Sequence, residues 1–194
     1  MFTFTLAMSL WMGVVAPILA PATSPLPKAA PTVSNTEAVI VEKVSWSADR
    51  RLTWEDFKGR PDETNGHHAL TAANLAVDAR CSSNKVSYDV KCVFLPQQSW
   101  SRNKKSEKLL KHEQLHFDLT EVHARQLRKK LNSLGASCTN LQENLNVAVK
   151  NAFKEWKEEQ ALFDKDSSHG LNRNEEEVWA AHISKRLSGL QAYR

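Results

Sequence analysis

The chain has few cysteines, no internal repeat and no block of one charge sign. Each absence closes off a class. The three cysteines, Cys81, Cys92 and Cys138, lack metal-ligand spacing, so no thiolate zinc site is encoded. Without a fixed sequence period the chain is not a solenoid or an array. Lysine and arginine total 26 against 22 acids, a net charge of +4. The basic residues form only short runs, such as Arg102-Asn103-Lys104-Lys105 and Arg128-Lys129-Lys130. They give no stripe for a nucleic-acid backbone. What remains, with 41% apolar and 25% charged residues, is the composition of a soluble globular domain.

Charge is missing altogether from residues 2–19. This apolar run, followed by Ala20-Pro21-Ala22, reads as a signal peptide cleaved after Ala22, because cleavage after Ala20 would leave proline first. No Lys or Arg precedes the run, and a retained membrane anchor is the rival reading. The short length and Pro17 argue against a span. No cysteine lies near the cleavage site, which argues against a lipid-attached form. Residues 23–37, rich in Pro, Ala, Ser and Thr, read as an extended linker. The expected organisation is therefore a signal peptide over 1–22, a linker over 23–37 and one domain over 38–194, secreted or periplasmic. In that compartment three cysteines imply one disulfide and one thiol. A hairpin turning at Ser82–Lys85 would put Cys81 opposite Val86 and Cys92 about 20 Å away along the strand, too far for a bridge. Cys92 also alternates with Val86, Tyr88, Val90 and Phe94 on a core face. Cys81 with Cys138 is the expected pair.

The pattern of elements runs strands first, helices later. A β-branched strand covers 38–46. Thr53 caps a helical turn that Gly59 and Pro61 end, and 62–68 is a loop. Residues 69–80 and 85–95 form the hairpin. After Pro96 the period changes to that of a helix, with Leu109, Leu110, Leu115, Leu119, Val122, Leu127, Leu131 and Leu134 over 106–134. Ser106 is its N-cap and Gly135 its stop. Further helices are expected at 139–163 and 174–190. The fold class is α+β: a small antiparallel sheet followed by a long helix and two further helices. Trp46, Trp54, Phe57 and Trp100 read as packing residues. Glu121 and Arg125 read as an ion pair on the helix surface.

The first helix carries His112-Glu113-Gln114-Leu115-His116. Two histidines four residues apart differ by about 40° around the axis, so both can reach one ion. Glu113 sits about 100° round from His112, beside the metal, where a general base for an activated water belongs. Zn2+ suits such a site. In a chain of this composition the pattern arises by chance with a probability of about 2%, so it is not read as noise.

A third ligand must come from elsewhere. Glu121 and Asp118 point to other faces of the helix. His123 is on the correct face but about 10 Å along the axis. His169, in the loop before the last helix, is the expected third ligand, followed by Glu143 or Glu155 and then His182. His67-His68 reads as a polar loop pair.

The segments "LTWEDFKG" at 52–59, "LLKHEQLHFDLTEVHARQLRKKL" at 109–131 and "FDKDSSHG" at 163–170, with Trp179, Ile183, Leu187, Leu190 and Tyr193, resemble a bacterial family of predicted secreted zinc-dependent proteases. A serine stands where that pattern has a threonine or similar residue before His-Gly. The resemblance implies a zincin-like single domain, His112 and His116 as metal ligands and Glu113 as catalytic base. It strengthens His169 as a ligand and adds Asp164 as a supporting group. The expected function is that of an exported zinc metallopeptidase, a monomer acting on a peptide or protein substrate, with no nucleic-acid partner and no membrane span after leader cleavage. The rivals are an amidase on the same site and a cell-envelope metal-binding module without turnover.

Overall fold

The computed structural model describes residues 41–194 except 65, 135–137 and 139–140. The expected signal peptide, the linker and the start of the 38–46 strand lie outside the described residues. Among the described residues five strands come first: β1 (Val44–Ser45), β2 (Ala69–Leu70), β3 (Ala73–Ser82), β4 (Lys85–Phe94) and β5 (Trp100–Ser101). Three α-helices follow among them: α1 (Glu107–Ser133), α2 (Leu141–Ser167) and α3 (Arg173–Gly189). The class is α+β, with antiparallel sheets ordered β1-β4-β3 and β2-β5.

The β3–β4 hairpin follows from its turn. Ser83 and Asn84 both take positive φ, 51° and 58°, as a two-residue hairpin loop requires. Cys81 then faces Val86 and Leu75 faces Cys92. Leu75, Val90, Cys92 and Phe94 are buried, while the tip of the hairpin is exposed. The stretch 69–80 is not one strand. Leu95 N donates to Ala72 O at 2.8 Å and Ala72 N donates to Ser99 Oγ at 3.0 Å. These bonds break the run at Thr71-Ala72 and turn β2 away to pair with β5. Cys81 and Cys138 form a disulfide with Cα atoms 6.0 Å apart, tying the hairpin tip to the chain after α1. Cys92 is a buried thiol whose pKa burial pushes well up.

Helix α1 starts where the Ser106 hydroxyl accepts Leu109 N at 3.2 Å. Almost every residue from His112 to Arg125 is buried, so the helix has no solvent face there. One side packs on the sheet through Phe117, whose ring lies 5.8 Å from that of Phe94. Another carries Leu115, Leu119 and Val122 against Phe163, Trp179 and Ile183 of α2 and α3. A polar line faces the chain before β2. Asp118 accepts from Trp46 Nε1 at 2.8 Å and Arg51 Nη1 at 2.9 Å, and Gln114 Oε1 accepts Leu52 N at 2.7 Å.

Glu121 and Arg125 are not on the surface as expected. They are 3% and 1% exposed. Arg125 lies over the Trp46 ring and donates to Leu187 O at 2.7 Å, and Glu121 also accepts from Arg128 at 2.9 Å. The spacing alone identifies the pair; the end of α3 and the chain around Trp46 cover it. Among the described residues no helix is long and apolar enough to cross a membrane.

Candidate metal centre

Helix α2 crosses α1 so that Trp156, Gln160 and Asp164, spaced four apart, meet the face of α1 that carries His112, His116 and Thr120. His112 Nε2 and His116 Nε2 lie 3.1 Å apart. Asp164 Oδ1 lies 3.2 Å from the first and 3.1 Å from the second. Ligand atoms about 2.0–2.1 Å from one zinc ion at tetrahedral angles stand about 3.3–3.4 Å apart. The three atoms are spaced within a few tenths of an ångström of that requirement, so the donor set fits zinc.

The tautomer of His116 is set from behind. Its Nδ1–H donates to Gln160 Oε1 at 2.5 Å, which turns Nε2 toward the cluster. Gln160 is itself fixed, since its Nε2 donates to His116 O and Thr120 Oγ1, both at 3.0 Å. Burial works against charge on His116, but Asp164 and Glu113 outweigh it and raise the pKa. Burial likewise pushes Asp164 up. The hydrogen bonds from His112 and His116 prevail and hold its carboxyl well below the usual range. Asp164 is therefore anionic, as a ligand of a divalent cation should be.

The His112 ring is clamped. It stacks on Phe163 with centroids 4.7 Å apart, and its other side meets Gly170. A Cβ at Gly170 would stand 3.1 Å from His112 Cγ, and its φ is +79°, so any side chain there is strained and crowds the ring. Ser168 and His169 also take positive φ, 49° and 54°. Three left-handed residues in succession turn the chain from α2 into α3 and bring it over the cluster. His112 Nδ1 and Glu176 Oε2 are buried without hydrogen-bond partners, 3.8 Å apart. Burial raises the Glu176 pKa, against the pull of His112 and nearby lysines.

The sequence-predicted residues take these places. Asp164, expected as a support, stands with His112 and His116 as the third member of the cluster. His169, expected as the third ligand, stands outside it: its Nδ1 is 3.3 Å from Asp164 Oδ1 and its side chain is 55% exposed. Its ring meets that of His67 at 4.8 Å. Glu113 is one position from His112, is buried and lines the cleft. His123 bonds Glu159 at 2.7 Å, Glu143 and Glu155 line a second cleft, and His182 is exposed. None of these joins the cluster. Gln160 and Glu176 had no signal in the sequence, because both sit in charged stretches that resemble solvated helix faces.

The cluster lies in an open cleft of about 630 Å3. Residues 66–73, including β2, line it together with α1, α2 and the loop that carries His169. Thr71 Oγ1 donates to Glu113 O at 3.2 Å, anchoring the β2 segment to the motif helix. Among the described residues no strand pairs with the edge of β2 opposite β5.

The model of a family described as "Bacterial protein of unknown function (DUF922)" matches residues 29–170, and the chain belongs to that family. The match takes in His112, Glu113, His116, Asp164 and His169, and ends before Glu176. No curated protein and no solved structure matches the chain.

Proposed function

We propose that this DUF922 member is an exported zinc-dependent hydrolase that cleaves peptide bonds. The reading rests on one observation above the rest. Three ligand atoms spaced for one ion line an open cleft together with Glu113. Structural zinc sites close around the ion with four protein ligands, whereas catalytic ones use three and leave a position open. His112, His116 and Asp164 would hold the zinc, which supplies a Lewis acid that acidifies water to a pKa of about 7 and polarises a carbonyl.

Two neutral imidazoles and one carboxylate carry a single negative charge, so the donor set leaves that acidity largely uncompensated. Glu113 accepts a proton from the attacking water and passes it to the leaving nitrogen. The open edge of β2 suits an extended peptide, whose backbone would pair with it across the cleft. Export is supported by the charge-free N-terminal run and by the Cys81–Cys138 disulfide, which persists in oxidising compartments.

The test is cleavage of a peptide library by the purified protein. Turnover that a chelator abolishes and added zinc restores is the expected result. Zinc bound without any cleavage would instead favour a metal-binding module of the cell envelope.

A further inference from the structure

The two histidines of the cluster are supported unequally. His116 has Gln160 on its Nδ1 at 2.5 Å. His112 has nothing at hydrogen-bond distance from its Nδ1, although that atom is buried and the residue is only 3% exposed. Glu176 Oε2 stands 3.8 Å from that nitrogen. Glu176 is 8% exposed, and that same oxygen is itself buried without a partner. A buried carboxylate oxygen with no donor is a cost that folding does not leave without a reason. Here the missing donor and the missing acceptor face each other across a gap under an ångström too long.

From this pair of orphans we infer that Glu176 is the positioning residue for His112, accepting its Nδ1–H when the cluster holds zinc. The inference rests on the reading of His112, His116 and Asp164 as zinc ligands. The route is short. Glu176 lies in the first turns of α3, and the left-handed loop of Ser168, His169 and Gly170 that precedes the helix already presses Gly170 against the His112 ring. Zinc on Nε2 fixes the proton on Nδ1, so the ring becomes an obligatory donor aimed at Glu176. A small approach of α3 then completes the bond. The carboxylate in turn makes the imidazole a stronger ligand. The centre would thus draw on all three helices: α1 for two histidines, α2 for Asp164 and Gln160, α3 for Glu176.

The role gives opposite signs in the two states. Without zinc, Glu176 keeps a buried carboxylate oxygen with no donor, and replacing it should not harm the fold. With zinc, it holds a ligand in place. The experiment compares wild type, Glu176→Leu and Glu176→Gln by zinc affinity in competition with a chelator and by the Tm of the zinc-free protein. Glu176→Leu should bind zinc about 10–100-fold more weakly, with a zinc-free Tm no lower than wild type. Glu176→Gln, which keeps an acceptor, should fall between the two. In zinc-loaded wild type the 15N–1H spectrum should show a slowly exchanging proton on His112 Nδ1, and Glu176→Leu should lose it. Wild-type affinity in Glu176→Leu would overturn the proposal. So would weaker binding accompanied by a lower zinc-free Tm, which marks a merely structural residue. If wild type itself binds no zinc, the ligand reading fails first and Glu176 has nothing to position.

Discussion

His116 Nδ1 and Gln160 Oε1 meet at 2.5 Å across the interface of α1 and α2, and this contact decides which nitrogen of His116 faces Asp164. Because Gln160 is also tied to His116 O and Thr120 Oγ1, it cannot turn away without breaking the helix contact. Gln160→Leu should lower zinc affinity about 10–100-fold. Competition with a chelator measures it, and an unchanged affinity would show that the tautomer is not set from α2.

Glu113→Gln should leave the metal in place and remove turnover. The substitution keeps size and shape but cannot accept a proton. Loss of general-base assistance costs about 10²–10⁴ in rate. Metal analysis alongside kcat checks both halves, and a variant with full kcat would remove Glu113 from the mechanism.

Gly170→Ala should destabilise the zinc-free protein by on the order of 1–3 kcal/mol, from the left-handed backbone alone. The new methyl also strikes the His112 ring, so zinc affinity should fall with it. Gly66→Ala is the control, since a Cβ there meets nothing within 4 Å. Urea unfolding of both variants separates a general glycine effect from one confined to the cluster.

Glu159 carries a pH signature outside the cluster. Burial pushes its pKa up, but the hydrogen bonds from His123 and Arg186, reinforced by their charges, bring it down from 4.5 to about 2. A lowered carboxylate pKa stabilises the fold above the unfolded value and loses that contribution as pH falls through the folded one. Glu159→Gln should therefore cost stability at pH 7, on the order of 2 kcal/mol after allowing for partial exposure. The gap from wild type should narrow between pH 4.5 and 2. A gap that stays constant over that range would show that the charge on Glu159 is not what His123 and Arg186 hold.

The sequence made some parts of this arrangement legible because their causes are local. Ser106 as a cap, the two-residue turn at Ser83-Asn84 and the leucine period of α1 are written in neighbouring residues. So is the pairing of Cys81 with Val86, which follows from the turn alone. His112, Glu113 and His116 were readable because one helix carries all three. Asp164 and His169 sit five residues apart in one loop-and-helix segment, and helical angles on α1 cannot say which of them reaches the histidines. The crossing of α2 over α1 decides that, and it brings Asp164 inward. The burial of Glu121 with Arg125, and the placing of Gln160 and Glu176 behind the histidines, depend on which helix face another element covers. No spacing within one element encodes that.

The most direct test of the account is the metal content of the purified protein, taken beside His116→Ala and Asp164→Ala. The account predicts about one zinc ion per chain in wild type, retained through dialysis and lost in both variants. A wild-type protein that neither carries zinc nor takes it up on titration would contradict the metal centre, and with it the proposed hydrolase.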